Sequence, residues 1–281
     1  VEGRRTVSRL YNDIEKLGEI FGIEDKAQAM ISDMKTREQA IADKVSTLED
    51  TDKVTVLTVQ MVYENEFFGR KDTDFTYDLI EKAGGICLDE AFGKQSIENL
   101  IALNPDVLVI INRTDSPAQE KIDALKSNPS LSEVNAVKND RFVSLDYVDF
   151  YGGNYETIDA IESLACGQPV GEETSPATSQ TPVESNGVEA DNHYPVTVET
   201  YDQNGEIVEQ TFEACPERVV SISQANTELL IALGLTDKIV ATAHRFSPVY
   251  ERMADEYNSI PFIAESGYPS KEVVLDQKPD L

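Results

Sequence analysis

Near the start of the chain, apolar residues recur at the period of an α-helix. Val7, Leu10, Ile14, Leu17 and Phe21 are separated by 3, 4, 3 and 4 residues, the stripe of an amphipathic helix, with Thr6 placed as N-cap and Gly22 as terminator. A second helix is predicted over Asp25–Val45, where Ala27, Met30, Ile31, Met34, Ile41 and Val45 share one face and Lys26, Asp33, Lys35 and Glu38 take the wet one. At about 30 Å it is long for a globular helix. The period then shifts: the β-branched run Val54–Val62 predicts a buried strand that empties into a loop over Tyr63–Asp74. A helix over Tyr77–Lys82 stops on Gly84 and Gly85, and another over Ile97–Leu103 leads through Asn104, Pro105 and Asp106 to a strand over Val107–Ile111. A helix over Ala118–Ser127, a short strand over Phe142–Leu145 and a helix over Glu156–Leu164 follow.

From Gly167 to Asn192 the pattern lapses into Glu, Ser, Thr, Pro and Gly, which predicts a linker. Beyond it, Val196–Tyr201 and Ile207–Phe212 flank Asn204-Gly205, a hairpin signal. A strand over Arg218–Ser223, a helix over Asn226–Leu233 ended by Gly234, a strand over Ile239–Thr242 and another over Phe262–Ala264 resume the alternation. Strands alternating with helices predict an α/β protein with a mostly parallel sheet covered on both faces. One internal repeat stands out. Ser96-Ile97-Glu98 lies nine residues ahead of Pro105-Asp106-Val107, and Ser270-Lys271-Glu272 lies nine ahead of Pro279-Asp280-Leu281. Two domains of similar construction are implied, and the second copy predicts a strand opening at Leu281, in mid-pattern.

Composition narrows the function classes. With 40% hydrophobic and 27% charged residues, the chain has the balance of a globular protein. Acids outnumber bases by 52 to 24, and a net charge of −28 repels a phosphate backbone or an anionic membrane surface, so no nucleic-acid partner is expected. No apolar run approaches the roughly 20 residues of a membrane span, and no apolar leader follows Val1. Cys87, Cys166 and Cys215 are isolated, and with only His193 and His244 there is no metal-ligand spacing. Ser163–Cys166 has the look of a lipoprotein cleavage box, but the acidic helix before it is no signal core, and Cys166 reads as unmodified. No catalytic or phosphate-cradling motif is present, and no cofactor is expected.

Three stretches carry a family resemblance. PERVVSISQANTELLIALGLTDKIVATAHR (Pro216–Arg245) with GYPSKEVVLDQKPDL (Gly267–Leu281), and SIENLIALNPDVLVI (Ser96–Ile110), resemble the amino- and carboxyl-terminal lobes of the metal-chelate class of ABC-importer substrate-binding proteins, which capture ferric siderophores, haem and cobalamin. The helix over Asp25–Val45 resembles their rigid connector. The resemblance implies two Rossmann-like lobes of the helical-backbone type in rearranged order. Connector and carboxyl-terminal-type lobe come first (1–165), then a linker (166–192), then the start of an amino-terminal-type lobe (193–281). Two arrangements account for this order: the back of one module of a tandem protein joined to the front of the next, or a circular permutation.

Ligands of such sheets sit beyond the carboxyl ends of the strands. In the first lobe those positions hold Tyr63, Glu64, Phe67, Phe68, Arg70 and Lys71, then Asn112 and Arg113, then Tyr147, Asp149 and Tyr151. Aromatic faces with a few bases suit a large planar or anionic chelate, although Tyr63, Phe67 and Phe68 equally suit loop packing. In the second lobe the positions are Ser223, Gln224, Asn226, His244, Arg245 and Tyr268. His244 has the chemistry of an axial ligand to iron or cobalt, with a polar strand-end histidine as the plainer alternative. Glu98 and Glu272 each follow a capping serine by two residues, where the helix dipole favours an acid. The resemblance adds that the family carries one exposed glutamate per lobe there, docking onto arginines of an ABC permease dimer. The resulting expectation is a non-enzymatic, extracytoplasmic binding protein, lipid-anchored in the full-length molecule, that delivers a metal chelate to an importer. An α/β enzyme with an unrecognised site and an acidic cell-surface interaction protein remain the alternatives.

Overall fold

A computed structural model describes residues 5–49, 51–166, 193–201, 204, 206–264 and 267–281. The predicted linker therefore lies outside the described residues. The chain divides into two compact units: of the residues described, the first takes 5–7, 34–166 and 246–249, and the second takes 8–33, 193–245 and 250–281. Helix Val7–Phe21 buries Val7, Leu10, Ile14 and Phe21 of its predicted stripe and leaves Leu17 half-buried, and Gly22 ends it at φ +64°. Helix Glu24–Val45 follows, burying Ala27, Met30, Ile31, Met34 and Ile41, with residues 24–33 in the second unit and 34–45 in the first.

The first unit is built on a sheet of β1 (Thr55–Val62), β2 (Glu66–Lys71), β3 (Ile86–Cys87), β4 (Glu90–Ser96), β5 (Val107–Asn112) and β6 (Phe142–Asp146), in the order β4-β2-β1-β5-β6 with β3 also on β1. Strands β1, β3, β5 and β6 run parallel, and β5 is buried from Val107 through Ile111, as a central strand covered on both faces must be. Leu57, Val59, Phe67, Leu100, Leu108, Ile110, Ile122 and Leu125 meet in one core. Gly84 stops helix Phe75–Lys82 at φ +81°, and a Cβ there would come within 2.9 Å of Val45.

The predicted loop over 63–74 is in fact half of an antiparallel pair. β2 registers against both β1 and β4, with Gly69 opposite Gly93. Its alternation is hidden because Phe67 faces the core while Phe68, also apolar, faces the other side, and because Gly69 leaves no side chain to read.

In the second unit β9 (Val219–Ser221), β10 (Ile239–Ala243) and β11 (Phe262–Ala264) form a parallel sheet in the order β11-β10-β9. The predicted hairpin forms separately from β7 (Val196–Tyr201) and β8 (Ile207–Phe212). Leu281 lies beside β9, its carbonyl accepting the Val220 N–H at 2.9 Å.

The internal repeat is structural. Ser96 and Ser270 cap helices Ile97–Leu103 and Lys271–Asp276, accepting the N–H groups of Asn99 and Val273 at 3.3 and 3.4 Å. Asn104 and Lys278, each just before a Pro-Asp pair, both take left-handed backbone at φ +45° and +49°.

Candidate functional site

At the carboxyl ends of β5 and β6 the first unit gathers charged and aromatic side chains, of which Tyr147 is buried. Asn112 is spent on structure: its amide donates to Asp146 at 2.7 Å and its oxygen accepts the Ala118 N–H at 3.0 Å, tying β5 to β6 and to helix Ala118–Ser127. Burial pushes the Asp146 carboxyl up, against the pull of the Asn112 amide. Arg113 stands just beyond. Its Nε and Nη2 fork the Asp115 carboxylate at 2.8 and 3.0 Å, and its guanidinium lies 4.8 Å from the ring centre of Tyr147 and 5.6 Å from that of Phe246. The hydrogen bond to Asp115 raises the Arg113 pKa, and the same bond lowers that of Asp115.

Helix Tyr147–Tyr151 was not expected. It sets its two tyrosines four residues apart on one face, stacked at 4.9 Å and 20°. Phe246 packs on both, at 4.8 and 6.2 Å, and Arg5 covers Tyr151 at 5.1 Å while donating to its carbonyl. Lys121 is buried beneath, donating to the Ile111 carbonyl; burial, then the nearby Arg113 charge, lowers it to about 8. Asp149 is buried.

The positions after β1 are divided. Phe67 is fully buried in the core and offers a ligand no surface. Phe68 meets the exposed ring of Phe92 edge-on at 5.0 Å. Arg70 is buried, donates to Gln60 at 2.7 Å, pairs with Asp74 at 3.0 Å and lies 5.0 Å from the Phe92 ring. Tyr63 is exposed beneath the Lys94 ammonium at 4.4 Å. With Val62, Glu64, Ile97, Leu125 and Leu131 it lines a cavity of about 500 Å³ that none of Arg113, Tyr147 and Tyr151 reaches.

In the second unit Ser223 caps helix Gln224–Ala232, accepting the Asn226 N–H at 3.3 Å. Gln224 is fully buried and donates to Glu228 at 2.8 Å; Asn226 is exposed. His244, at φ +62°, meets the exposed Tyr268 ring edge-on at 4.7 Å, and Arg245 lies 5.6 Å from the ring of Phe262. Among the described residues no group of three or more His, Cys, Asp or Glu could hold a metal ion. Glu98 and Glu272 are both exposed in first helical turns; the backbone N–H of Glu272, then the Ser270 hydroxyl, hold the Glu272 carboxyl below its ordinary value. Among the described residues no helix is long and apolar enough to cross a membrane.

Residues the sequence did not single out complete the first cluster: Asp115, Phe246 and Ser247. Asp115 was signalled only by standing two positions past Arg113, and Phe246 by being the aromatic that follows Arg245.

A family model described as periplasmic binding protein matches residues 1–148. The uncharacterised ABC transporter substrate-binding lipoprotein YvrC of Bacillus subtilis (strain 168) is 26% identical over 167 residues, covering 59% of this chain and 51% of that protein. The chain thus spans about half the length of the curated relative it matches. A periplasmic binding protein from Veillonella parvula DSM 2008 aligns with a TM-score of 0.51 and 26% identity, over 58% of this chain and 56% of that one. An ABC-type Fe3+-hydroxamate transport system protein from Saccharomonospora viridis DSM 43017 shares the fold at a TM-score of 0.50 and 20% identity, over 59% and 57%.

Proposed function

The chain belongs to the periplasmic binding protein family, and from that premise we propose that it is part of the extracytoplasmic solute-binding component of an ABC importer. In this role it captures a ferric siderophore, haem or cobalamin-type chelate, performs no chemistry on it and delivers it to a permease dimer. The observation that carries the ligand class is Arg113 held against Tyr147 at the strand ends, with Tyr151 stacked behind: a fixed cation beside aromatic faces is what a large anionic or planar chelate requires. Phe68, Arg70 and Tyr63 in the first unit, and His244, Arg245 and Tyr268 in the second, are further candidate contacts. Phe67, Gln224 and Asn112 serve by positioning their neighbours.

The lobe assignment belongs to the same proposal: residues 1–165 as connector and carboxyl-terminal-type lobe, 166–192 as linker, and 193–281 as the opening of an amino-terminal-type lobe. Glu98 and Glu272 are the proposed permease contacts, supported by their exposure at matching places in the repeat. A lipid anchor on the full-length protein is supported by the lipoprotein description of the Bacillus relative.

The test is a titration of the 281-residue chain with a ferric tris-catecholate, a ferric trihydroxamate, haemin and cyanocobalamin, followed by the fluorescence of its 11 tyrosines, which no tryptophan masks. Saturable binding of one of them at micromolar concentration is expected. Failure of all four overturns the reading.

A further inference from the structure

The strand-end cluster of the first unit is occupied by the chain itself. Thr114, the first residue beyond Arg113, donates its N–H to the carbonyl of Phe246 at 2.8 Å. Val148, in the first turn of helix Tyr147–Tyr151, donates its N–H to the Ser247 hydroxyl at 3.3 Å. The Phe246 ring covers Tyr147 and one side of the Arg113 guanidinium, and Asp115 takes the guanidinium fork. Two backbone donors, one cation and two aromatic faces are thus each met by a group from this chain: a carbonyl, a hydroxyl, a carboxylate and a phenyl ring.

Such a set of occupants describes a ligand by its chemistry. A phenyl ring beside negative oxygen is an aromatic acid or phenolate. The geometry points to a subsite, built by Arg113, Tyr147 and Tyr151, for an aromatic ring bearing an anionic oxygen, with Phe246, Ser247 and Asp115 filling it until such a ligand displaces them. As a ligand subsite this rests on the binding role proposed above; the internal plug stands on geometry alone.

Ser247 is buried, but the rest of the plug is loosely held. The Asp115 side chain is 69% exposed, and an ion pair so open to water is weakly held. Phe246 is only half-buried. The segment Phe246–Val249 belongs to no helix or strand, so its withdrawal breaks no ladder. If the plug is closed about nine-tenths of the time, apparent affinity is about tenfold below that of the open subsite.

The experiment uses 2,3-dihydroxybenzoate as probe and acetohydroxamate as a ring-free control. Phe246→Ala is expected to tighten dihydroxybenzoate binding about tenfold and leave acetohydroxamate unchanged, while Arg113→Gln abolishes the gain. Without any ligand, Phe246→Ala should also speed hydrogen exchange at the Thr114 and Val148 amides by about tenfold or more. Should that variant fold poorly, Phe246→Leu keeps the bulk but not the ring, and Asp115→Asn frees the fork alone; each is expected to tighten dihydroxybenzoate binding. Unchanged or weaker binding in the folded variants, or unchanged amide exchange, overturns the plug. A wild type that binds a ferric chelate while Phe246→Ala gains nothing keeps the transport role and loses this inference. Tight dihydroxybenzoate binding by Phe246→Ala in a protein that binds no ferric chelate does the reverse.

Discussion

Asp106 clasps Thr55. Its Oδ2 accepts both the backbone N–H and the hydroxyl of Thr55, at 3.0 and 2.8 Å, and its own N–H donates to the Thr55 carbonyl at 3.0 Å. Asp280 treats the start of β9 alike, accepting the N–H groups of Glu217 and Arg218 at 2.9 and 2.7 Å and donating to the Arg218 carbonyl at 3.0 Å. In the first unit the Pro-Asp pair therefore starts two neighbouring parallel strands, β1 and β5, in register, and in the second it makes the same clasp on the residues that lead into β9.

An acid-sensitivity prediction follows from this clasp. Partial burial raises the Asp106 carboxyl, but the Thr55 hydrogen bonds, then that from Asn135, outweigh it and hold the pKa below its ordinary value. A carboxylate depressed on folding stabilises the native state above its unfolded pKa of about 3.9, and that share is lost as pH falls through the lower folded value. Asp106→Ala should cost about 1–3 kcal/mol at neutral pH, measured by urea unfolding. The gap to wild type should shrink below about pH 4; a gap that stays constant to pH 2 would show the charge to be irrelevant.

The two repeats also separate capping from docking. Ser96→Ala and Ser270→Ala remove a cap and should each lower stability by about 1 kcal/mol, with no effect on association with the permease. Glu98→Lys and Glu272→Lys should slow association with a permease dimer in nanodiscs by about tenfold at low salt, an effect that fades at high salt as rim charges do. Equal association rates for wild type and the double lysine variant at low salt would remove these residues from the interface.

What was legible in the sequence was local. Helix stripes, the capping serines, the Pro-Asp start of β5 and the hairpin flanking Asn204 all depend on residues a few positions apart, and each forms where expected; at Leu281, after the second Pro-Asp pair, no strand is assigned. Contacts between distant segments left no such mark. β4 pairs with β2 through a run, Glu90–Ser96, whose Gly93 and mixed charges carry no strand period, so neither strand was foreseen. Phe67 and Phe68 read alike in sequence, yet register sends one to the core and the other to Phe92. Phe246 meets Tyr147 from 99 positions away, as Ser247 meets Val148 beside them.

Lys121 gives a pH dependence of opposite origin. Its ammonium is desolvated on folding, and its pKa drops from 10.5 to about 8. Below about pH 8 it is charged in both states and the burial penalty is fully present; between about 8 and 10.5 the unfolded chain binds more protons, so native stability from this group rises with pH. Lys121→Met removes that penalty along with the bond to the Ile111 carbonyl. The difference in unfolding free energy, variant minus wild type, should therefore fall as pH climbs through that window. A difference independent of pH would mean the ammonium stays hydrated.

The net charge of −28 bears on stability and on the proposed ligand capture together. Like charges crowded by folding repel one another, and salt that shortens the screening length from above about 10 Å to about 3 Å relieves this. Raising KCl from 0.05 to 1 M should lift the melting temperature by roughly 5–10 °C, the equivalent of a few kcal/mol. The same field repels an anionic ligand from a protein whose cations at the strand ends are few. Association of a ferric tris-catecholate should hence speed up with KCl, the reverse of ordinary electrostatic steering, whereas a neutral ferric trihydroxamate should be indifferent. Stopped-flow mixing at several KCl concentrations decides this. A catecholate rate that falls with salt would mean that the local field of Arg113 and Arg5 outweighs the acidic surface around it.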